Sequence, residues 1–172
     1  ARVLIIGLGG LGSPVALYLA AAGVGTLVLA DDDVVDDSNL QRQIIHAEAN
    51  VGQAKVTSAQ QSIGAINSAV EVVALAQRLE DQTLSEQVVA ADLVVDCCDN
   101  LATRLAVNKA CLEHATPLVS GAAIRMEGQV MVVDPRHPEM PCYHCLMQFT
   151  GPQDSRCSTN GVMAPVVGIV GA

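Results

Sequence analysis

The stretch Val3–Gly12, with the sequence VLIIGLGGLG, decides the fold of this chain. Four apolar residues run directly into a cluster of glycines, and an apolar-periodic segment, Leu11 to Ala22, follows at once. This order of strand, glycine turn and helix is typical of a phosphate-binding βα unit. Glycines allow a tight turn close to a ligand, and the helix N-terminus offers unpaired N–H groups to an anion. We therefore expect a nucleotide phosphate to lie against this turn, with a purely structural turn as the alternative. The candidate binding residues are Gly7, Gly9, Gly10, Leu11 and Gly12.

A carboxylate stands at the end of the next apolar run. The apolar run Leu27–Ala30 belongs to the predicted second strand, and Asp31 follows it directly. A carboxylate at this place in a βαβ unit accepts hydrogen bonds from ribose hydroxyls. Asp31 is therefore the candidate ribose ligand, and a dinucleotide such as NAD would suit it as well as a mononucleotide.

The amino-acid composition limits which classes of function are possible for this chain. The 172 residues are 51% hydrophobic and 16% charged, which favours one domain with a sizeable core. The formal net charge is -9, and aromatic residues make up only 2% of the chain, so a nucleic-acid partner is disfavoured. No apolar run reaches the length of a membrane span, and no signal peptide is visible, so we expect a cytoplasmic protein. The six cysteines then indicate buried thiols, metal ligands or a reactive thiol rather than disulfides.

Alternating strand and helix patterns predict an α/β fold with a doubly wound, mostly parallel, Rossmann-like sheet and an antiparallel extension near the C-terminal end. The first helix should bury Leu11, Val15, Tyr18, Leu19 and Ala22, and the second Val56, Ala59, Ile63 and Ile66. The predicted strands are Arg2–Ile6, Thr26–Ala30, Val70–Leu75, Leu93–Val95 and Leu118–Ser120. The predicted helices are Leu11–Ala22, Gln53–Ile66, Ser85–Ala90 and Leu101–His114, and a hairpin over Ala122–Val133 should turn around Glu127 and Gly128.

Two cations follow Asp31 in the chain. Ser38 is a plausible N-cap for a short helix that carries Arg42, while the acidic residues before it, Asp36 and Asp37, fit a solvated loop. Arg42 could reach the phosphates with its planar fork of donors, or it could simply lie on the surface. Lys55 sits in the first turn of a helix, where a positive charge opposes the helix dipole. This unfavourable placement hints at a compensating anion.

The strand Leu93–Val95 leads into a polar corner, Asp96–Asn100. Because ligands gather at the carboxyl ends of parallel strands, we expect Asp96 and Asp99 to face the crevice beside the glycine turn. Asp99 is a candidate Mg²⁺ ligand, although Asp99 or Asn100 could instead cap the next helix. Cys97 and Cys98 are expected to be ordinary buried thiols.

The third group of candidates is formed by cysteines. Cys142 and Cys145 form a CxxC pair, which is half of a zinc site or a redox pair, and its proline-rich context favours a zinc-binding loop over residues 135–160. Cys157 lies beside Arg156, so its thiol could be a nucleophile, or it could be an unremarkable loop cysteine.

Taken together, these segments resemble the E1-like (ubiquitin-activating) superfamily, and within it the MoeB/ThiF/HesA group. The resemblance covers essentially the whole chain, with the motifs in the order and spacing of that family. The segments that carry it are GLGGLGS (Gly7–Ser13), SNLQRQ (Ser38–Gln43), VGQAKV (Val51–Val56), DCCDN with Arg104, SGAAIRMEGQ (Ser120–Gln129), PCYHC (Pro141–Cys145) and GVMAP (Gly161–Pro165).

The resemblance implies an adenylyltransferase that uses Mg-ATP to adenylate the C-terminal glycine of a ubiquitin-like sulfur carrier. The expected carrier is of the molybdopterin-synthase type, in molybdenum cofactor biosynthesis, with a thiamine-pathway carrier as the alternative. Asp31 would then hold the ribose, while Asn39, Arg42 and Lys55 would surround the triphosphate. Asp99 would hold Mg²⁺, with Asn100 beside it, and Cys157 matches the candidate thiol position of the family. A homodimer and a structural Zn²⁺ on Cys142 and Cys145 are also implied.

The chain departs from the family pattern in two places. A second CxxC, which would complete a Cys₄ zinc site, and an N-terminal arm that carries an arginine are both missing from residues 1–172. We therefore expect one E1-like adenylation domain that is a piece of a longer protein. Two functions of other classes remain open, namely an NAD-dependent oxidoreductase and a non-catalytic protein that binds a ubiquitin-like partner.

Overall fold

A single mixed sheet organises the chain. The computed structural model describes residues 1–137, 139–150 and 161–172. Six strands pair in the order β3-β2-β1-β4-β5-β6. The first five are parallel, and β6 pairs antiparallel with β5. The strands are β1 (Arg2–Ile6), β2 (Thr26–Ala30), β3 (Glu71–Leu75), β4 (Leu93–Asp96), β5 (Leu118–Ile124) and β6 (Glu127–Val133).

Helices cover both faces of this sheet, and this explains why its central strands are apolar throughout. One core layer lies under α1, α2 and α6, and the other lies under α3 and α4. The predicted doubly wound, mostly parallel sheet with an antiparallel extension is therefore confirmed. The helices are α1 (Gly12–Ala21), α2 (Lys55–Ile66), α3 (Asp81–Val89), α4 (Leu101–Glu113), α5 (Tyr143–Thr150) and α6 (Ala164–Gly171). In the described residues, no helix is long and apolar enough to cross a membrane.

The predicted buried face of α1 is wrong at Tyr18, which is 62% exposed. The helix instead packs through small residues four apart, Gly12, Ala16 and Ala20, all of them buried. Small side chains allow the helix to approach its neighbours closely, and a tyrosine would not fit there. In α2, Val56, Ala59 and Ile63 are buried as predicted, but Ile66 at the last position of the helix is exposed.

The hairpin is present, but it turns at Arg125 and Met126, between β5 and β6. Glu127 and Gly128 are instead the first residues of β6. A Cβ at residue 128 would collide with the side chain of Val170 in α6. The glycine that suggested a turn is therefore required by close helix packing.

The short helical turn after β2 begins differently from the prediction. It is a 3₁₀ turn over Asp37–Asn39, and the carboxylate of Asp36 accepts a hydrogen bond from the Ser38 N–H at 2.8 Å. Asp36 is thus the cap, and Ser38 lies inside the turn. Hydrogen bonds from both the side chain and the backbone of Ser38 lower the pKa of the Asp36 carboxyl.

Candidate functional site

A crevice of about 540 Å³ opens at the carboxyl ends of β1, β2 and β4. One wall is the glycine turn, where Gly7, Gly9, Gly10 and Leu11 line the opening, while Gly12 is buried inside α1. Gly7 has φ +93°, a conformation that favours glycine, and it donates its N–H to Ala30 in β2 at 2.9 Å. The turn therefore follows β1 directly and leads into the N-terminus of α1, as the sequence predicted.

A buried histidine supports the turn from behind. His46 Nε2 lies 3.1 Å from the carbonyl oxygen of Leu8, and Nδ1 lies 2.9 Å from Ser58 Oγ. A ring nitrogen beside a carbonyl must donate, so Nε2 carries a proton and Nδ1 can accept from Ser58. Burial lowers the pKa of His46, which favours this neutral form. Sequence reasoning missed His46, because it lies outside every glycine-turn signal.

Asp31 is tied to the same turn. One of its oxygens accepts the Leu8 N–H at 2.6 Å, and the other accepts the Asp33 N–H at 2.9 Å. Burial, as the largest influence, raises the pKa of this carboxyl, although Lys55 and the two N–H groups oppose it. Asp31 lines the crevice. It joins the end of β2 to the glycine turn, and its role toward a ribose stays a prediction.

Lys55 forms an ion pair with Asp33 in this structure. Its Nζ lies 2.8 Å from Asp33 Oδ2, and its backbone N–H donates to the Asp33 carbonyl at 3.0 Å. The lysine side chain is 7% exposed, whereas the Asp33 side chain is 69% exposed. The anion inferred from the unfavourable position of Lys55 is therefore supplied within the chain by Asp33, at the edge of the crevice.

Arg42 and Asn39 form another part of the crevice lining. Arg42 Nη2 donates to Asn39 Oδ1 at 2.5 Å, and the Arg42 backbone N–H donates to the Asn39 carbonyl at 3.1 Å. Both residues line the crevice. The bond to Asn39 holds the guanidinium, and Arg42 Cγ lies 3.5 Å from the point that a Cβ on Gly10 would occupy. Both predicted cations therefore line the same crevice as the predicted phosphate-binding backbone.

Asp96, the last residue of β4, and Asp99, three residues later, differ in exposure and in their partners. Asp99 is exposed in the crevice, and within the described ranges no hydrogen bond or ion pair engages its carboxylate. Its neighbour Asn100 accepts the Thr103 N–H at 2.9 Å and caps α4, one of the two caps that the sequence allowed. The expectation that Asp96 faces the crevice is wrong, because Asp96 is 1% exposed in the interior.

Asp96 belongs to a buried polar network. It accepts from Ser120 Oγ at 2.7 Å, and Arg104 Nη1 lies 3.5 Å from its Oδ2. Arg104 also donates to Ser120 Oγ and to the Cys98 carbonyl, and it lies 5.9 Å from the ring centre of Tyr143. Burial is the largest single influence on Arg104 and opposes its charge, but Asp96 together with Tyr143, Cys98 and Cys97 outweighs burial and raises its pKa. Cys97 and Cys98 are buried thiols with pKa values raised by burial, as predicted.

The CxxC pair lies at the start of a helix, although a loop was predicted for this region. Cys142 immediately precedes α5, and Cys145 lies in its first turn, with the two Sγ atoms 3.6 Å apart. Asn108 in α4 accepts the Tyr143 N–H at 2.9 Å and anchors this helix. The separation fits one edge of a tetrahedral zinc site, which is about 3.8 Å long when Zn–S bonds are about 2.3 Å. Cys157 lies outside the described residues.

Sequence reasoning also missed residues that follow β3. Gln77, Arg78 and Leu79 line the crevice, and Arg78 Nε lies 3.8 Å from Asp32 Oδ2. The rule that strand ends face the ligand, which was applied to β1, β2 and β4, would have found them. Gln43, a buried amide in the crevice wall, was also missed.

A glycine turn after β1, a carboxylate after β2 and two cations across one crevice define a nucleotide-binding protein of the doubly wound α/β class. The chain belongs to the ThiF family, which it matches over residues 1–172. It is 49% identical over 170 residues to the sulfur carrier protein ThiS adenylyltransferase of Escherichia coli K12, covering 99% of this chain and 67% of that protein. It is 47% identical over 172 residues to the molybdopterin-synthase adenylyltransferase of Salmonella typhimurium LT2, covering 100% of this chain and 69% of that protein.

A solved structure agrees with the fold. The crystal structure of E. coli MccB matches 99% of this chain and 51% of that chain, with a TM-score of 0.85 and 25% sequence identity. The chain therefore spans about half the length of this solved structure. The predicted family is confirmed, and so is the predicted enzyme class, since the curated relatives are adenylyltransferases.

Proposed function

We propose that this chain adenylates the C-terminal glycine carboxylate of a ubiquitin-like sulfur carrier and consumes ATP as the substrate. The observation that carries the proposal is the convergence of Arg42, Lys55 and Asp99 on the crevice beside the glycine turn. A site that only held a nucleotide would not need two cations beside a carboxylate that has no partner in the described part of the chain. The names of the relatives supply the acceptor class, because one of them acts on the sulfur carrier ThiS.

Electrostatics is the main task of such a site. A carboxylate must attack the α-phosphorus of ATP, so two anionic groups have to approach each other. The carboxylate forms the acyl–phosphate bond as the bond to pyrophosphate breaks, and pyrophosphate leaves with the electron pair. Because a carboxylate is already ionised at neutral pH, no general base is needed. Arg42 and Lys55 would stabilise the charge that develops on the phosphates, and most of the rate gain would come from positioning.

Lys55 must change its partner in this reaction. In the ligand-free chain its ammonium group is held by Asp33, whose carboxylate is largely in solvent. A phosphate oxygen can replace that carboxylate while Asp33 remains hydrated. We therefore infer that Asp33 keeps Lys55 oriented toward the crevice until the nucleotide binds.

Asp99 fits a magnesium ligand, since it is an exposed carboxylate in the crevice without a partner in the described part of the chain. Mg²⁺ prefers one or two carboxylates together with phosphate oxygens, and it would screen charge on the triphosphate. Asn39 would orient Arg42 beside it, through the 2.5 Å bond between the two side chains. Asp31 would accept a ribose hydroxyl with lone pairs that its two N–H donors leave free.

Further elements of the proposal concern the whole protein. The short distance between Cys142 and Cys145 supports half of a structural zinc site, whose other ligands would have to come from elsewhere.

Exposed apolar side chains on α6 and β6, with Ile169 at 77% and Val130 at 57%, support a homodimer. Cys157 is proposed as a thiol that can link to the carrier. A cytoplasmic location stays a prediction, supported by the free thiols of the described residues.

The test is carrier-dependent ATP–pyrophosphate exchange by the full-length protein. Two carriers that end in Gly-Gly should be compared, one of the molybdopterin-synthase type and one of the ThiS type, each beside a version that lacks the terminal glycine. We expect exchange with one intact carrier and none with the truncated forms. Absence of exchange with both intact carriers, while ATP still binds, would contradict the proposal.

A further inference from the structure

Gln43 is a buried amide whose side-chain oxygen has no hydrogen-bond partner in the described residues. The residue is 5% exposed and lies in the wall of the crevice. Its backbone is fixed, since its N–H donates to the Asn39 carbonyl and its carbonyl accepts the His46 N–H, both at 3.0 Å. Over residues 1–137, 139–150 and 161–172, however, the buried Oε1 has no hydrogen-bond partner, and no side-chain bond of Nε2 is present. Buried polar groups normally have partners, and of the two amide atoms only Nε2 can donate to an anion, so a contact with an anionic ligand would be made by Nε2.

The position of the amide indicates which ligand. Gln43 Nε2 lies 3.7 Å from the point that a Cβ on Gly9 would occupy, and Arg42 Cγ lies 3.5 Å from the same point on Gly10. Two consecutive side chains therefore lie over two consecutive glycines. An anion bound against the N–H groups of the glycine turn would meet the guanidinium on one side and the carboxamide on the other.

We propose that Gln43 is a direct contact for the nucleotide, and that its Nε2 donates a hydrogen bond to a phosphate oxygen seated over Gly9. The inference rests on the proposed function, because it takes the crevice as an ATP site. Gln43 would add a neutral hydrogen-bond donor to the two cations, Arg42 and Lys55, that are already proposed to contact the phosphates. A neutral amide can lie close to the α-phosphate without competing with Arg42 or Lys55 for charge, so it would fix the position of the phosphate.

The experiment compares Gln43→Met with a matched control, Gln41→Met. Gln41 lies two residues earlier, is exposed and does not line the crevice. Methionine keeps the length of the side chain but cannot donate a hydrogen bond. Binding of ATP and of adenosine to the full-length protein is measured by calorimetry. We expect Gln43→Met to weaken ATP binding about 10-fold or more, with adenosine affinity and the Gln41→Met variant within about twofold of wild type.

Thermal unfolding separates this role from a structural one. Because the substitution removes an unpartnered buried polar group, the ligand-free variant should unfold at the same temperature as wild type or higher. A lowered unfolding temperature with unchanged ATP affinity would overturn the proposal, and so would an equal loss of affinity for adenosine. If Gln43→Met does not fold, Gln43→Leu serves instead, because it is apolar, of similar volume and also unable to donate, and the same selective loss of ATP affinity is expected.

The two proposals fail in different ways. If wild type binds no ATP, the proposed function falls, and the Gln43 contact falls with it. If wild type binds ATP and Gln43→Met binds it equally well, only the Gln43 contact is contradicted.

Discussion

Two cation–carboxylate pairs flank the site, and they differ in what surrounds them. Arg104 and Asp96 are both buried, with side chains 7% and 1% exposed. Lys55 is equally buried at 7%, but its partner Asp33 is 69% exposed. Arg104 has three further contacts, namely the Ser120 hydroxyl, the Cys98 carbonyl and the Tyr143 ring. In the described part of the chain, Asp33 provides the only ion pair to Lys55.

This difference predicts that the first pair is structural and the second functional. A cation whose partners are all buried holds the fold, and exchanging its partner would leave a buried charge alone. A cation whose partner is hydrated can exchange that partner for a phosphate at little cost. The comparison predicts that substitutions at the first pair reduce stability, whereas substitutions at the second reduce activity.

The largest effect is expected for Arg104→Met. Removing the guanidinium leaves Asp96 buried without its counter-charge, so the free energy of unfolding should fall by about 3–5 kcal/mol. Chemical denaturation monitored by circular dichroism measures this. The control is Lys109→Met, which removes an exposed cation on the same helix. A loss below about 1 kcal/mol for Arg104→Met would contradict the structural role of this pair.

Lys55→Met should show the opposite pattern. Because Asp33 is hydrated, stability should change by only about 0–1 kcal/mol. Carrier-dependent ATP–pyrophosphate exchange should fall about 10²–10³-fold, as is typical when one group that stabilises developing charge is removed. Exchange within about threefold of wild type would show that Lys55 takes no part in the reaction and that its pair with Asp33 is only structural.

The variant Asp99→Asn tests whether Asp99 differs in role from Asp96, the last residue of β4. The exposed carboxylate has no partner to lose in the described part of the chain, so the unfolding temperature should not change. Exchange should fall by at least about 10²-fold, and raising the Mg²⁺ concentration should restore part of it. Asp96→Asn is the matched variant, and it should lower stability first. If the two variants behaved alike, the division between the two carboxylates would be wrong.

The smallest effect concerns His46. Burial lowers its pKa below the ordinary value of 6.5 in the folded chain, so the unfolded chain binds the proton more readily. The stability that His46 contributes is therefore present above pH 6.5 and is lost as the pH falls below it. Unfolding free energies measured from pH 7.5 to 5.0 should decline, and His46→Gln should flatten that decline. An identical pH profile in the variant would rule out this contribution.

Much of this architecture could be predicted from local patterns. Apolar runs that end at Gly7, Asp31 and Asp96 predicted the strands and the edge of the sheet that faces the ligand. Local sequence patterns gave wrong predictions at positions where packing between distant segments determines the structure. Gly128 is a glycine because Val170 packs against it, and Tyr18 is exposed because small residues pack that helix. Neither contact is visible in the sequence nearby.

The site could be predicted in part for the same reason. Residues that follow β1, β2 and β4 were found, because topology brings these strand ends together, although those after β3 were missed. Side chains that act through contacts distant in the sequence were missed, such as His46 on the Leu8 carbonyl and Gln43 over Gly9. The inward orientation of Asp96 likewise depends on Arg104 and Ser120, which lie in other elements.

One measurement tests the central claim most directly, namely a crystal structure of the full-length protein with Mg²⁺ and a non-hydrolysable ATP analogue. The account predicts phosphate oxygens on the backbone N–H groups of Gly9–Leu11 and within hydrogen-bond distance of Arg42 and Lys55. It also predicts that Lys55 Nζ leaves Asp33 for a phosphate oxygen. A nucleotide bound elsewhere, or one bound in the crevice while the Lys55–Asp33 pair stays intact and contacts no phosphate, would contradict it.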